Sequence, residues 1–113
     1  MPPKHNPLKL NRLQLKTLTL FQELARSPET STPREDGTVL ITMLPRPHGN
    51  HFHLGSRVVL ARDATGLQNQ AVWNALMRKG LIRGEFPIAV LLTPEGLGYE
   101  TGLRDEILHG ADH

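Results

Sequence analysis

Residues 54–82 read LGSRVVLARDATGLQNQAVWNALMRKGLI, and how this stretch folds decides the architecture. Its second half has the period of a helix. Ala71, Val72, Ala75 and Leu76 fall on one face, and Gln68, Asn69, Gln70, Trp73, Asn74, Met77 and Arg78 on the other. Gly80 ends this helix, and Leu81-Ile82 return the chain to the core. Thr65-Gly66-Leu67 forms a short turn ahead of it, where Gly66 suits a positive φ. The first half, Ser56 to Ala64, reads two ways. Val58-Val59-Leu60 favours a strand by propensity, which would make a hairpin of residues 38–44 with residues 52–61. The strongly helical segment that follows favours a helix instead, and so two helices about a tight turn.

Upstream, Leu10, Leu13, Phe21 and Leu24 lie at helical spacing, with Thr17 the one polar member of the stripe and Leu18 and Leu20 broadening it. This predicts a helix over Asn11–Arg26, capped by Asn11. Its apolar face is wide enough to suggest contact with another chain. SPETSTPREDG (27–37) is a loop by composition. TVLITML (38–44) is β-branched and predicts a strand, ended by Pro45 and Pro47. Downstream, Gly84-Glu85 suits a tight hairpin with Leu81–Arg83, and FPIAVLL (86–92) supplies a strand. Thr93-Pro94-Glu95 is a helix start: a capping hydroxyl, Pro in the first turn, then an acid near the positive end of the dipole. Residues 103–108 add one more turn.

The expected fold is therefore α+β: helix, strand, two helices, a short β-wing and a short C-terminal helix. Residues 1–7, with three prolines, are expected to be poorly ordered. Residues 8–108 form a single domain, and 109–113 a tail. The 113-residue chain suits one modest core. It has no Cys, which excludes disulfides, thiolate metal sites and a Cys nucleophile. It has no apolar run long enough to span a membrane, and its first residues lack the apolar stretch of a signal peptide. The expected location is cytoplasmic.

Charge is unevenly placed. Residues 1–84 carry 12 Lys/Arg against 5 Asp/Glu, and residues 85–113 carry 1 against 6. A basic body with an acidic tail suits a polyanionic partner. On the paired helices, Asn69, Gln70 and Asn74 sit near the N-terminal end of the polar face, where amide side chains can bond adenine in a bidentate way. Arg57, Arg62, Arg78, Lys79 and Arg83 flank it and are placed to hold phosphates.

The run resembles the winged-helix domains of bacterial regulators of the GntR and MarR type. The matching residues are Leu60-Ala61, Gly66-Leu67, Val72, Ala75-Leu76 and Gly80-Leu81-Ile82. Leu92 to Gly96 (LTPEG) is similar to the segment after the wing in MarR-like proteins. The resemblance covers residues 54–96 and implies a winged helix-turn-helix that binds double-stranded DNA through the second paired helix. The sequence departs from the pattern at Gln68, where Ser or Thr usually caps. It departs also at Trp73 on the polar face, in the short acid-bearing wing Arg83-Gly84-Glu85, and in the long His-rich connection before Leu54.

The function expected from these features is a small DNA-binding transcriptional regulator. It would act as a homodimer, since such readers use paired half-sites. Two alternatives stand beside it. One is a protein-interaction module of the same fold, with Trp73 either packed within the chain or serving as a hot spot for a partner. The other is a metal-binding α+β domain built on His48, His51 and His53. If Phe52–Leu54 is extended, His51 and His53 share a face, and imidazoles suit zinc, copper or nickel. The simpler view of these histidines is a polar loop, with no cofactor. His109 and His113 are expected to be solvated. No Gly-x-Ser-x-Gly turn or phosphate loop occurs, Gly96-Leu97-Gly98 is too short for a dinucleotide fingerprint, and Asp105-Glu106 reads as a solvated face. An enzyme is not expected.

Overall fold

A helix buried on almost every side organises the molecule. The computed structural model describes residues 6–42, 44, 50–54 and 57–110. The helix, α1 (Arg12–Ala25), begins with a capping box. Asn11 accepts from the Gln14 amide at 2.8 Å, and the Gln14 side chain accepts from the Asn11 amide at 3.0 Å. Leu15, Leu18, Leu20, Phe21 and Leu24 are all buried. Thr17 and Thr19 are buried among them because each hydroxyl donates to the carbonyl four residues back. Most of the leucines of this stripe thus pack within the chain, and Leu13 is half-buried.

The chain then forms β1 (Ser31–Pro33) and β2 (Val39–Ile41). The short β1 lies in the segment expected to be loop. Next come β3 (His51–Leu54) and β4 (Arg57–Leu60), two 3-10 turns (Ala61–Asp63 and Thr65–Gln68), and α2 (Gln70–Arg78). Strands β5 (Ile82–Glu85) and β6 (Ala89–Leu92) precede the short helices α3 (Pro94–Gly98) and α4 (Arg104–Ile107), and β7 (His109–Gly110) closes the described chain. One antiparallel sheet runs β1-β2-β6-β5 and a second runs β3-β4-β7.

The α+β class holds, but residues 57–64 correct the expected helix. Arg57–Leu60 is a strand paired antiparallel with His51–Leu54, with His51 opposite Leu60 and Leu54 opposite Arg57. Among the described residues β4 pairs with β3 and β7, not with β2. Val58 and Val59 lose side-chain freedom in a helix and pack well in a pleat. A complementary strand lies only two residues away in the chain. What remains before α2 is too short for a full helix and closes as 3-10 turns instead.

The first sheet packs its inward row, Ile41, Val90, Leu92 and Ile82, against α1 and α2. Leu40, Leu91 and Arg83 alternate to the other side. The β5–β6 hairpin also differs from expectation. Gly84 and Glu85 belong to β5, paired with Val90 and Ala89, and the turn is formed by Phe86, Pro87 and Ile88. α3 starts as expected: Thr93 Oγ1 accepts from the Gly96 amide at 3.0 Å, and Pro94 occupies the first turn.

Candidate nucleic-acid interface

α2 meets the core through Val72, Trp73, Ala75 and Leu76, all buried. Val72 and Leu76 do what the helical spacing asked of them. Trp73 does not: it lies inside, not on the polar face. Its ring sits edge-on to Phe21 and Phe86, with centroids 5.5 and 5.0 Å away. Its indole N–H donates to the Leu67 carbonyl at 3.2 Å. The inward face of α2 therefore runs through positions 72, 73 and 76, and Ala71 turns to solvent.

Both ends of α2 are well terminated. Asn69 is the N-cap, its Oδ1 accepting from the Ala71 and Val72 amides at 3.0 and 3.4 Å. This resolves the misfit at Gln68, since the capping residue is the next one along. It also gives Asn69 a structural role at the start of the helix. With its carbonyl engaged in capping, Asn69 has its amide NH2 left to donate. At the other end Gly80 has φ +75°, Leu81 N–H donates to Leu76 and Gly80 N–H to Met77. This paired closure satisfies carbonyls that would otherwise lack partners.

The exposed side of α2 carries Gln70, Asn74 and Arg78 at intervals of four, with Ala71 and Gln68 beside them. Residues 64–84 contain Arg78, Lys79 and Arg83 and no Asp or Glu. Of the other expected phosphate contacts, Arg62 is exposed in the first 3-10 turn and Arg83 is exposed on β5. Arg57 is half-buried on β4, in the other sheet. Lys79 is committed differently: its ammonium donates to the Leu8 carbonyl at 2.8 Å. It borders a surface cleft of about 610 Å³ lined also by Leu8, Leu81, Glu95 and Tyr99.

The turn ahead of α2 is fixed from α1. Gly66 does not use a positive φ. It is needed because a Cβ there would overlap the Thr17 hydroxyl. Lys16 adds an ion pair to Asp63 at 2.8 Å, both side chains largely shielded. Asp36, in the β1–β2 turn, is held below its ordinary carboxylate range. The Thr38 hydroxyl and then the Thr38 amide donate to it, at 2.6 and 3.0 Å, and Arg34 and Arg83 add favourable charge. Arg34, which like Arg83 acts on Asp36, is a basic residue that spacing alone did not single out.

Acids gather elsewhere. Glu95 lies on α3, Glu100 follows it, and Asp105 and Glu106 lie on α4, where Glu106 pairs with Arg12. Two of the three clustered histidines, His51 and His53, stand on one face of β3 with ring centroids 4.9 Å apart. His48 lies outside the described residues. Among the described residues no group of three or more His, Cys, Asp or Glu is arranged to hold a metal ion, and no helix is long and apolar enough to cross a membrane. No family model, curated protein or solved structure matches the chain.

Proposed function

We propose that this chain is a winged-helix module that binds double-stranded DNA through α2 and acts as a cytoplasmic transcriptional regulator. The order of elements supports the reading. α1 is followed by β1 and β2, and α2 directly by the β5–β6 hairpin, and in the four-stranded sheet three of the strands lie in the order β2-β6-β5. We read this as a variant of the winged-helix order, with β5–β6 as the wing, β1 added at the edge of the sheet, 3-10 turns in place of the first paired helix, and β3–β4 inserted ahead of them. The observation that carries the proposal is the exposed, acid-free stripe Gln70–Asn74–Arg78 on the helix just before the wing. Gln70 and Asn74 offer donor–acceptor amides to base edges, and Arg78 offers guanine or phosphate contacts. Arg62, exposed in the first 3-10 turn, and Arg83, exposed on the face of the sheet away from α2, are further cations that phosphates could use.

Reach bounds what one copy can read. From Gln70 to Arg78 the helix rises about 12 Å, which matches about three to four base-pair steps. A site that short gives little discrimination, so the proposal includes a homodimer reading two half-sites. The protein-interaction alternative loses its sequence-level handle, because Trp73 is buried by its own chain. The direct test is binding to a library of duplexes, followed by footprinting of the selected sequence. Protection of a short major-groove site that is lost in Asn74→Ala supports the proposal. Failure to enrich any sequence, with no duplex retained, removes it.

A further inference from the structure

We infer that β5 joins two copies of this chain: its free edge pairs antiparallel with the same edge of a second copy, about a two-fold axis at Gly84. This names the surface of the homodimer proposed above and rests on that part of the reading; DNA takes no part in it. β5 (Ile82–Glu85) ends the sheet β1-β2-β6-β5, and among the described residues no strand lies beyond it. Arg83, Gly84 and Glu85 are exposed. The opposite edge of the sheet is blunted, because Pro33 in β1 has no N–H to offer. β5 carries no proline.

The backbone groups of this edge have a definite phase. Thr93 N–H donates to the Leu81 carbonyl at 3.2 Å, in line with the β5–β6 register. Bonded and unbonded pairs alternate in an antiparallel ladder, so residues 81, 83 and 85 face β6, while Ile82 and Gly84 turn their N–H and C=O outward. Among the described residues no backbone group outside the sheet bonds to Ile82 or Gly84. A second β5 laid there exchanges both bonds between the two copies of Gly84, and the missing side chain lets the backbones meet at the axis.

Charge selects that register. Position 83 of one copy then lies opposite position 85 of the other, in a pair of the unbonded kind, where side chains come closest. Arg83 and Glu85 point to the same face of the sheet, and among the described residues neither forms an ion pair. An axis at Gly84 sets Arg83 against Glu85 twice, whereas an axis at 83 or 85 sets like charges against each other. Edge charges usually deter a second strand; here they admit one arrangement of it. Ile88, 67% exposed, lies in the turn that ends β5. The same register brings that turn beside residues 80–82 of the second copy, where Gly80 leaves open space. Arg83 is then engaged across the axis, which leaves Arg62 and Arg78 for phosphates.

Sedimentation equilibrium of the full chain without DNA tests this. The wild type should show a reversible monomer–dimer equilibrium that weakens with salt. Arg83→Glu and Glu85→Arg should each weaken self-association at least about tenfold, since each sets like charges opposite one another twice. Mixed in equal amounts, the two variants should form a heterodimer, because opposite charges then face each other at both contacts. In the wild type, the Gly84 amide should gain protection from hydrogen exchange as concentration rises, a readout that needs no variant. A wild type that stays monomeric at millimolar concentration would overturn the inference and remove the homodimer from the reading above. A dimer indifferent to both substitutions, or variants that do not associate on mixing, would overturn this surface and leave that reading standing.

Discussion

Gly66 packs so closely on Thr17 that no side chain at 66 can coexist with the Thr17 hydroxyl. This contact seats the turn ahead of α2 against α1, and with it the approach angle of the candidate reading helix. Gly66→Ala should destabilise the fold by about 1–3 kcal/mol through overpacking. In a Thr17→Ala background the same change should cost less, because the clashing oxygen is gone. Relief should be incomplete, since the Cβ at 17 would still lie 3.0 Å away. Chemical denaturation of the four proteins of this cycle measures the coupling. Equal costs in both backgrounds would mean that the contact is not the cause.

Trp73 joins α1, α2 and the β5–β6 turn through Phe21 and Phe86. Trp73→Ala should cost about 3–5 kcal/mol, as expected for removing a fully enclosed large ring. Its fluorescence should be blue-shifted, weakly quenched by acrylamide and unmoved by DNA. A quencher-accessible Trp73, or an emission maximum that shifts when duplex is added, would contradict the packing described.

Asp36 should make the stability of the β1–β2 turn sensitive to acid. Its carboxyl is lowered in the folded state, chiefly by the Thr38 hydroxyl. Its contribution is therefore complete above the unfolded carboxylate value and is lost as pH falls through the folded one. Melting temperature followed from neutral into acid pH should fall less steeply for Asp36→Asn than for the wild type. Identical acid slopes would show that this hydrogen-bonded turn does not contribute.

Much of the frame was legible from local chemistry. Asn11 announced α1, Thr93-Pro94 announced α3, and the β-branched run at 38–44 announced β2. Each of these signals acts within a turn of the chain and needs no tertiary partner. The misread stretch is residues 57–60. Val58 and Val59 carried the strand signal, and Gly55-Ser56 between two short apolar runs is itself a hairpin signature. The strongly helical segment that follows favours a helix there, but it does not determine how the residues ahead of it pair. Trp73 was misplaced because its polar neighbours suggested an exposed face. The inward face in fact keeps Val72, Ala75 and Leu76 and takes in Trp73 in place of Ala71, to meet Phe21, which only the packed α1 reveals. The cap at Asn69 could have been read from its place directly before the apolar period. The closeness of Gly66 to Thr17 could not, because it joins residues 49 positions apart.

The most direct test of the central claim is duplex binding measured by fluorescence anisotropy over a range of salt concentrations, for wild type, Asn74→Ala and Arg78→Ala. The account predicts affinity falling linearly with salt on logarithmic axes. Asn74→Ala should lose sequence preference while retaining the salt slope. Arg78→Ala should weaken every duplex, with the slope reduced by about one. Absence of duplex binding at low salt, or binding indifferent to salt and to both substitutions, would contradict it.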